Sequence, residues 1–293
     1  MTNMSDKPLA LAHIVNPVKV GTQSDLYVAQ PITFESMRIA KDSARTLCEI
    51  ELYSAQFEED RAIVPDFLSL TPNLEQSMMD FGQFRTIRKL PLIRDILDRL
   101  YSASSAEYLI YTNVDIALKP DFYLSVSKII DDGVDGMVIN RRTISDKYKS
   151  VTELPQMYEE VGEPHYGYDC FIFRRDVYPK FDLGNMCIGA MAIGAALMMN
   201  IACFSMNFRE FLDLHLTFHL GNAEVWRQPQ VSDYQTFNQQ EYIAVLNRLA
   251  PRFDVNRLPV VSRPFLQQYL QRVKHTLLDR SNMSEGPKNA QGT

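Results

Sequence analysis

The chain has 293 residues, 46% of them apolar and 23% charged, with a formal net charge of −6; that is enough apolar content for one large α/β core or two small ones. The acidic balance leaves no basic stripe of the kind nucleic acid requires, so nucleic-acid binding is not expected, and phosphate-bearing ligands would need local cations or a metal. Cys48, Cys170, Cys187 and Cys203 lie in apolar or strand-like contexts without CxxC spacing and read as reduced core residues of a cytoplasmic protein. No secretory signal pattern opens the chain.

In chain order, Leu9 to Val15 reads as a first strand and Asn16 to Gly21 as the loop leaving it. Ser24-Asp25 suits a helix N-cap before a helix running to about Ala44, with Pro31 a point of interruption. Cys48 to Phe57 and Ala62 to Val64 are strand-like, and Lys89 to Ser102 carries Leu92, Ile93, Ile96, Leu97 and Leu100 at helical spacing. A buried strand follows from Tyr108 to Ile116, then a helix over Asp121 to Asp131 and a strand over Gly136 to Asn140. This alternation predicts a mainly parallel sheet with helices on both faces. Met186 to Phe204 barely reaches the roughly 20 residues of a membrane span and is weakly hydrophobic, which favours a buried helix. Arg263 to Arg280 has an apolar stripe and scattered basic residues, a pattern for docking on the domain, with an anionic membrane or partner helix as the alternative. One domain over residues 1–280 and a disordered tail over 281–293 are expected.

The residues that could carry chemistry sit at strand ends. Tyr111, Asn113 and Asp115 share one side of their strand by alternation. A carboxylate at the carboxyl end of such a strand, with an oxygen ligand nearby, can hold a hard divalent cation against phosphate; capping the helix that begins near Pro120 is the plainer alternative. Asp213, His215, Thr217 and His219 alternate with apolar residues, so a strand would set all four on one face, either as a source of metal-ligating histidine or as the solvated face of an edge strand. Asp169 enters an aromatic strand, where a carboxylate beside apolar rings can act as a base or bind sugar hydroxyls, or else is a turn Asp bonded to nearby amides. Arg141 and Arg142 end another strand with guanidinium forks suited to phosphate, or form a solvated face. Arg85, Arg88 and Lys89 make a second small basic group, explained equally by diphosphate and by a surface cluster at a helix start.

Together these segments resemble the nucleotide-diphospho-sugar transferases of GT-A fold, in particular uncharacterised bacterial glycosyltransferase-like proteins, from about His13 to Trp226. The likeness rests on Ile14-Val15-Asn16-Pro17, Tyr111 to Ile116, Asn140-Arg141-Arg142, His165 to Phe173 and Thr217 to Gly221. It implies a GT-A-like (Rossmann-like) α/β fold, a nucleotide-sugar donor, a glycan or lipid-linked acceptor, and a divalent metal (Mn or Mg) at a DxD element whose two positions fall on Asn113 and Asp115, with His219 as the late ligand. By the same resemblance Asn16, Ser24, Asp25, Asn113, Arg141 and Arg142 would face the donor, and Asp169 the acceptor or the transferred sugar, as base if the transfer inverts configuration. The first carboxylate of the DxD is an amide here. That departure keeps open a non-catalytic nucleotide-sugar-binding or scaffold protein. A nucleotidyltransferase is a further rival, without the Gly-rich loop expected near its first strand. A protein without a spanning segment, cytoplasmic or peripheral to the membrane, is expected.

Overall fold

The computed structural model describes residues 8–165, 167–222 and 232–252; the amphipathic Arg263–Arg280 stretch, the tail and Trp226 lie outside them. The elements run β1 (Leu9–Val15), α1 (Leu26–Ala44), β2 (Cys48–Ser54), β3 (Ser69–Leu70), α2 (Ile93–Ala103), β4 (Tyr108–Thr112), β5 (Ala117–Leu118), α3 (Phe122–Asp131), β6 (Gly136–Ile139), β7 (Arg142–Ile144), α4 (Leu154–Glu159), β8 (Glu163–Pro164), β9 (Cys170–Arg174), α5 (Ile193–Phe204), β10 (Phe208–Phe211), β11 (Thr217–Leu220) and α6 (Ser232–Leu249).

A seven-stranded sheet in the order β10-β6-β9-β4-β1-β2-β3 forms the centre. All its strands run one way except β9, which is antiparallel to both β4 and β6. The fold is thus α/β, with a mostly parallel sheet covered by helices on both faces, as expected. Alternation along the buried strands divides the core: Ala12, Ile14, Leu109, Tyr111, Phe171 and Phe173 pack under α2, α5 and α6, while Leu11, Val15, Tyr108, Ile110 and Ile172 pack under α1 and α3. In α2 the apolar face is Ile93, Ile96, Leu97 and Leu100, all fully buried, each contributing about 1.5–3 kcal/mol of transfer free energy. A second, four-stranded sheet, β5-β11-β7-β8, lies beside the first and has its own small core around Ile32, Phe218 and Met157.

Several local expectations changed. Pro31 does not interrupt α1, which is continuous through it; the carbonyl deprived of a donor is that of Tyr27, on the exposed side of the first turns. Ala62 to Val64 is not a strand, because a 3-10 turn occupies Glu58–Ile63 and brings the Asp60 carboxylate onto the Lys19 amide at 2.7 Å. The Asp213 to Leu220 alternation yields a strand only from Thr217: His215 takes a left-handed φ of 55°, which rotates everything before it off the strand. Thr217 and His219 are buried, and β11 runs between β5 and β7, so this is neither one polar face nor a solvated edge. Met186 to Phe204 divides into a loop and α5, whose residues are nearly all buried; no described helix is long and apolar enough to cross a membrane. All four cysteines are free and buried.

Candidate functional site

The parallel strands β1, β2, β4 and β6 deliver Asn16, Ala55, Asn113 and Asn140 to one edge of the sheet, their carboxyl ends. The reversed strand β9 begins at that same edge. The last ladder pairs are Thr112 with Cys170 and Ile139 with Cys170, so one step further out Asp169 lies between Asn113 and Asn140. Asp115 follows two residues beyond Asn113, in the bend before β5, and the β5–β11 pairing carries His219 alongside it.

His219 is 5% exposed. Its Nδ1 lies 2.8 Å from the Gly221 carbonyl oxygen, which can only accept, so Nδ1 carries the proton and donates. Gly221 allows that geometry with its φ of +69°, and a Cβ there would meet Asp146 at 2.9 Å. The other nitrogen, Nε2, faces Asp115 Oδ2 at 3.2 Å. Either a second proton or a cation must mediate between an imidazole lone pair and a carboxylate oxygen at that distance. Locking one histidine nitrogen on a backbone carbonyl is the usual way of aiming the other at a metal. Asp115 Oδ1 is buried and has no partner. Burial pushes the Asp115 carboxyl up, but His219 and then Arg141 outweigh it and hold the group below the ordinary carboxylate range.

Asp169 is 7% exposed. Its Oδ1 accepts from Asn113 Nδ2 at 3.4 Å and is ion-paired with Arg141 Nη1 at 3.3 Å, while Oδ2 is buried without a hydrogen-bond partner. Burial raises its pKa; Arg141 pulls it back down, and the Asp115 charge adds to the rise. Asn113 is turned by a second bond, Tyr111 O–H donating to its Oδ1 at 3.0 Å. Its amide nitrogen thus points to Asp169 and its oxygen is engaged by tyrosine.

The other residues expected at the site divide clearly. Arg141 is brought in, with Nε buried and unpartnered. Arg142 turns away: Nε donates to the Val161 carbonyl at 2.6 Å, Nη2 to the Gly162 carbonyl at 2.8 Å, and the guanidinium pairs with Asp213. Asn16 is buried and ties β1 to the end of β2 by donating to the Ala55 carbonyl at 2.6 Å. Asp25 caps α1 through the Leu26 amide at 2.9 Å, and Ser24 Oγ reaches the same amide at 3.3 Å. Lys89 pairs with Glu59 and lies 4.0 Å over the Phe57 ring. Asp60 and the Gly221 carbonyl were not singled out from sequence; nothing in residue type or spacing marks a carbonyl that orients a histidine 2 positions earlier.

The ligand set suits a hard cation in part. Asp115 and His219 offer an oxygen and a nitrogen to one point, but among the described residues no three His, Cys, Asp or Glu side chains close a cage. Divalent cations bound with phosphate commonly take one or two protein carboxylates and complete their shell from phosphate and water, so the pair fits such a group.

No family model and no curated protein matches the chain. Solved structures do resemble it in layout. Staphylococcus aureus TarS, residues 1–349 in complex with UDP-GlcNAc, is 9% identical, with 90% of this chain and 88% of that one covered and a TM-score of 0.45. Glucosyl-3-phosphoglycerate synthase from Mycobacterium tuberculosis, with Mn2+, UDP-glucose and phosphoglyceric acid, is 12% identical over 83% and 80% of the two chains, TM-score 0.44. The mannosyltransferase PcManGT from Pyrobaculum calidifontis, with GDP-Man and Mn2+, is 13% identical over 83% and 65%, TM-score 0.45. What this chain can do chemically is set by its own residues.

Proposed function

We propose that the protein is a GT-A-like glycosyltransferase that moves a sugar from a nucleoside-diphospho-sugar donor to an acceptor hydroxyl with the aid of a divalent cation, Mn or Mg. The observation that carries this reading is the Asp115–His219 pair at the carboxyl edge of the parallel strands, with one nitrogen of the imidazole locked on the Gly221 carbonyl and Asp115 Oδ1 bare. Ligands of open α/β sheets gather at that edge. A cation held there would supply Lewis-acid neutralisation of charge on the leaving nucleoside diphosphate.

The chain's own residues supply the rest. Asp115 and His219 would hold the cation. Arg141, fixed beside them and still carrying an unpartnered N–H, offers a guanidinium to diphosphate oxygens. Asp169, whose Oδ2 is buried without a hydrogen-bond partner, would face the acceptor or the transferred sugar; a base role there applies to an inverting transfer and lapses in a retaining one. Asn16, Ser24 and Asp25 shape the β1–α1 loop over which the nucleotide would lie, through backbone rather than side-chain contacts, because their side chains are already engaged.

Calorimetric titration with a panel of nucleoside diphosphates and nucleotide sugars, with and without manganese, tests the reading. Cation-dependent binding is the expected result. Binding of a donor without turnover in the presence of manganese would instead favour a nucleotide-sugar-binding scaffold, and pyrophosphate release from a nucleoside triphosphate a nucleotidyltransferase.

A further inference from the structure

His165 follows β8 directly and opens the loop that leads through Gly167 to Asp169 and into β9. Its backbone is fixed on both sides: the N–H donates to the Arg141 carbonyl at 3.2 Å, and the carbonyl accepts from Asn140 Nδ2 at 3.2 Å. Both partners belong to the short link between β6 and β7. His165 is thereby anchored at the carboxyl edge of the sheet, half-buried, beside the arginine that pairs with Asp169.

Gly167 lets the two side chains approach each other. A Cβ at that residue would stand 2.5 Å from His165 Nε2 and 3.5 Å from Asp169 Oδ2. The imidazole nitrogen and the carboxylate oxygen converge on one point, at a residue with no side chain to keep them apart. Oδ1 of Asp169 is occupied by Asn113 and Arg141, and Oδ2 is the oxygen left buried without a hydrogen-bond partner. Burial raises the Asp169 pKa and Arg141 lowers it; the Asp115 charge raises it again, and His165 and then His219 lower it.

The pair selects by chemistry what can enter. A buried carboxylate oxygen left unmet is costly, so the entering group must bring a proton. A carbonyl has none to give, and a phosphate or carboxylate would meet like charge. A hydroxyl donates one bond and accepts another on its oxygen. We propose that His165 and Asp169 form the subsite for the acceptor hydroxyl, with Asp169 Oδ2 accepting the hydroxyl proton, His165 Nε2–H donating to the hydroxyl oxygen, and Gly167 leaving room for both. In an inverting transfer that oxygen bonds to the anomeric carbon as the bond to the diphosphate oxygen breaks; the electron pair leaves with the nucleoside diphosphate, and the proton passes to Asp169. In a retaining transfer the proton goes instead to the leaving diphosphate oxygen, and the pair only holds the hydroxyl. The assignment rests on the transferase reading for the donor.

The test uses the whole protein with Mn2+ and a panel of uridine-, guanosine- and thymidine-diphospho-sugars, with water as the hydroxyl probe, and reads donor affinity by calorimetry and kcat by nucleoside diphosphate release. Relative to wild type, His165→Ala is expected to lower kcat about tenfold or more with donor affinity unchanged. His165→Gln, which keeps an N–H, should recover part of the loss, as should imidazole added to His165→Ala; Gly167→Ala should lower kcat as His165→Ala does. Wild-type kcat in His165→Ala overturns the assignment and leaves the transferase reading standing. So do equal losses in His165→Ala and His165→Gln without rescue by imidazole, which would make the ring a structural element. Weakened donor binding in His165→Ala would place the hydroxyl on the transferred sugar and counts against the acceptor. Absence of donor binding or of turnover in the wild type would remove the transferase reading and this assignment with it. Should His165→Ala fail to fold, Gly167→Ala decides: full kcat in that variant, with native circular dichroism, overturns the proposal.

Discussion

Two buried histidines, one in the seven-stranded sheet and one in the four-stranded sheet beside it, show how differently one side chain can be used. His13, in β1, is fully buried with Nδ1 2.9 Å from the Tyr123 hydroxyl and Nε2 2.9 Å from Thr112 Oγ1. Both ring nitrogens meet neutral hydroxyls, and burial drives its pKa down to about 3. His219 is buried to a similar degree, but one nitrogen meets a carbonyl and the other a carboxylate that has a further oxygen bare. The first histidine is complete within the protein. The second belongs to a constellation with unmet acceptors, and that incompleteness, rather than burial, is what the proposed ligand site rests on.

The contrast can be broken in four ways. The largest effect is expected on the His13 side. The folded protein keeps His13 neutral down to about pH 3, whereas in the unfolded chain it takes a proton near 6.5. The unfolded state then binds more protons in that window, so stability present above pH 6.5 is lost as pH falls towards 3, by on the order of 4 kcal/mol. Urea titrations at stepped pH would measure this, and a His13→Gln variant should show a flatter acid limb; an unchanged limb would place the acid sensitivity elsewhere.

At the His219 site, Asp115→Ala should reduce cation-dependent donor binding by about a hundredfold, or roughly 3 kcal/mol, with the thermal melt little changed. Unaltered affinity in that variant would sink the metal assignment. A smaller loss, about tenfold in Mn2+ affinity, is expected for His219→Gln, since one ligand of several is removed; the same titration reads it. Smallest of all, Arg142→Ala should cost about 1 kcal/mol of stability through the Val161 and Gly162 carbonyls it holds, with nucleotide affinity untouched, while Arg141→Gln weakens nucleotide binding. Equal effects of the two arginines on binding would contradict the division the structure draws between them.

The legibility of the site differs residue by residue. Asp115 could be found because a continuous apolar run ends on an acid, but the strand expected from Tyr108 to Ile116 stops at Thr112, so Asn113 and Asp115 lie in the turn after it and strand alternation does not place them; Tyr111 and Asn113 meet through a hydrogen bond across the strand end. His219 was found through a strand pattern that extends too far upstream: the left-handed backbone at His215 leaves Asp213 exposed against Arg142 rather than beside His219. Arg141 and Arg142 are alike in sequence, and only the course of the 161–162 segment separates the one that faces Asp169 from the one that clamps carbonyls. The proline in α1 was misleading because propensity is weak against a helix packed along its length on two strands and α3.

By itself the sequence determined what depends on neighbours along the chain: the apolar strands, the amphipathic face of α2, the cap at Asp25, and an α/β order that calls for helices on both faces of a sheet. Local sterics and the periodicity of burial decide these. Tertiary structure alone decided the reversal of β9, the second sheet and the meeting of Asn113 with Asp169, which are 56 residues apart. Strand order and direction follow from how distant segments share one core, and no local pattern encodes which strand an acid will face.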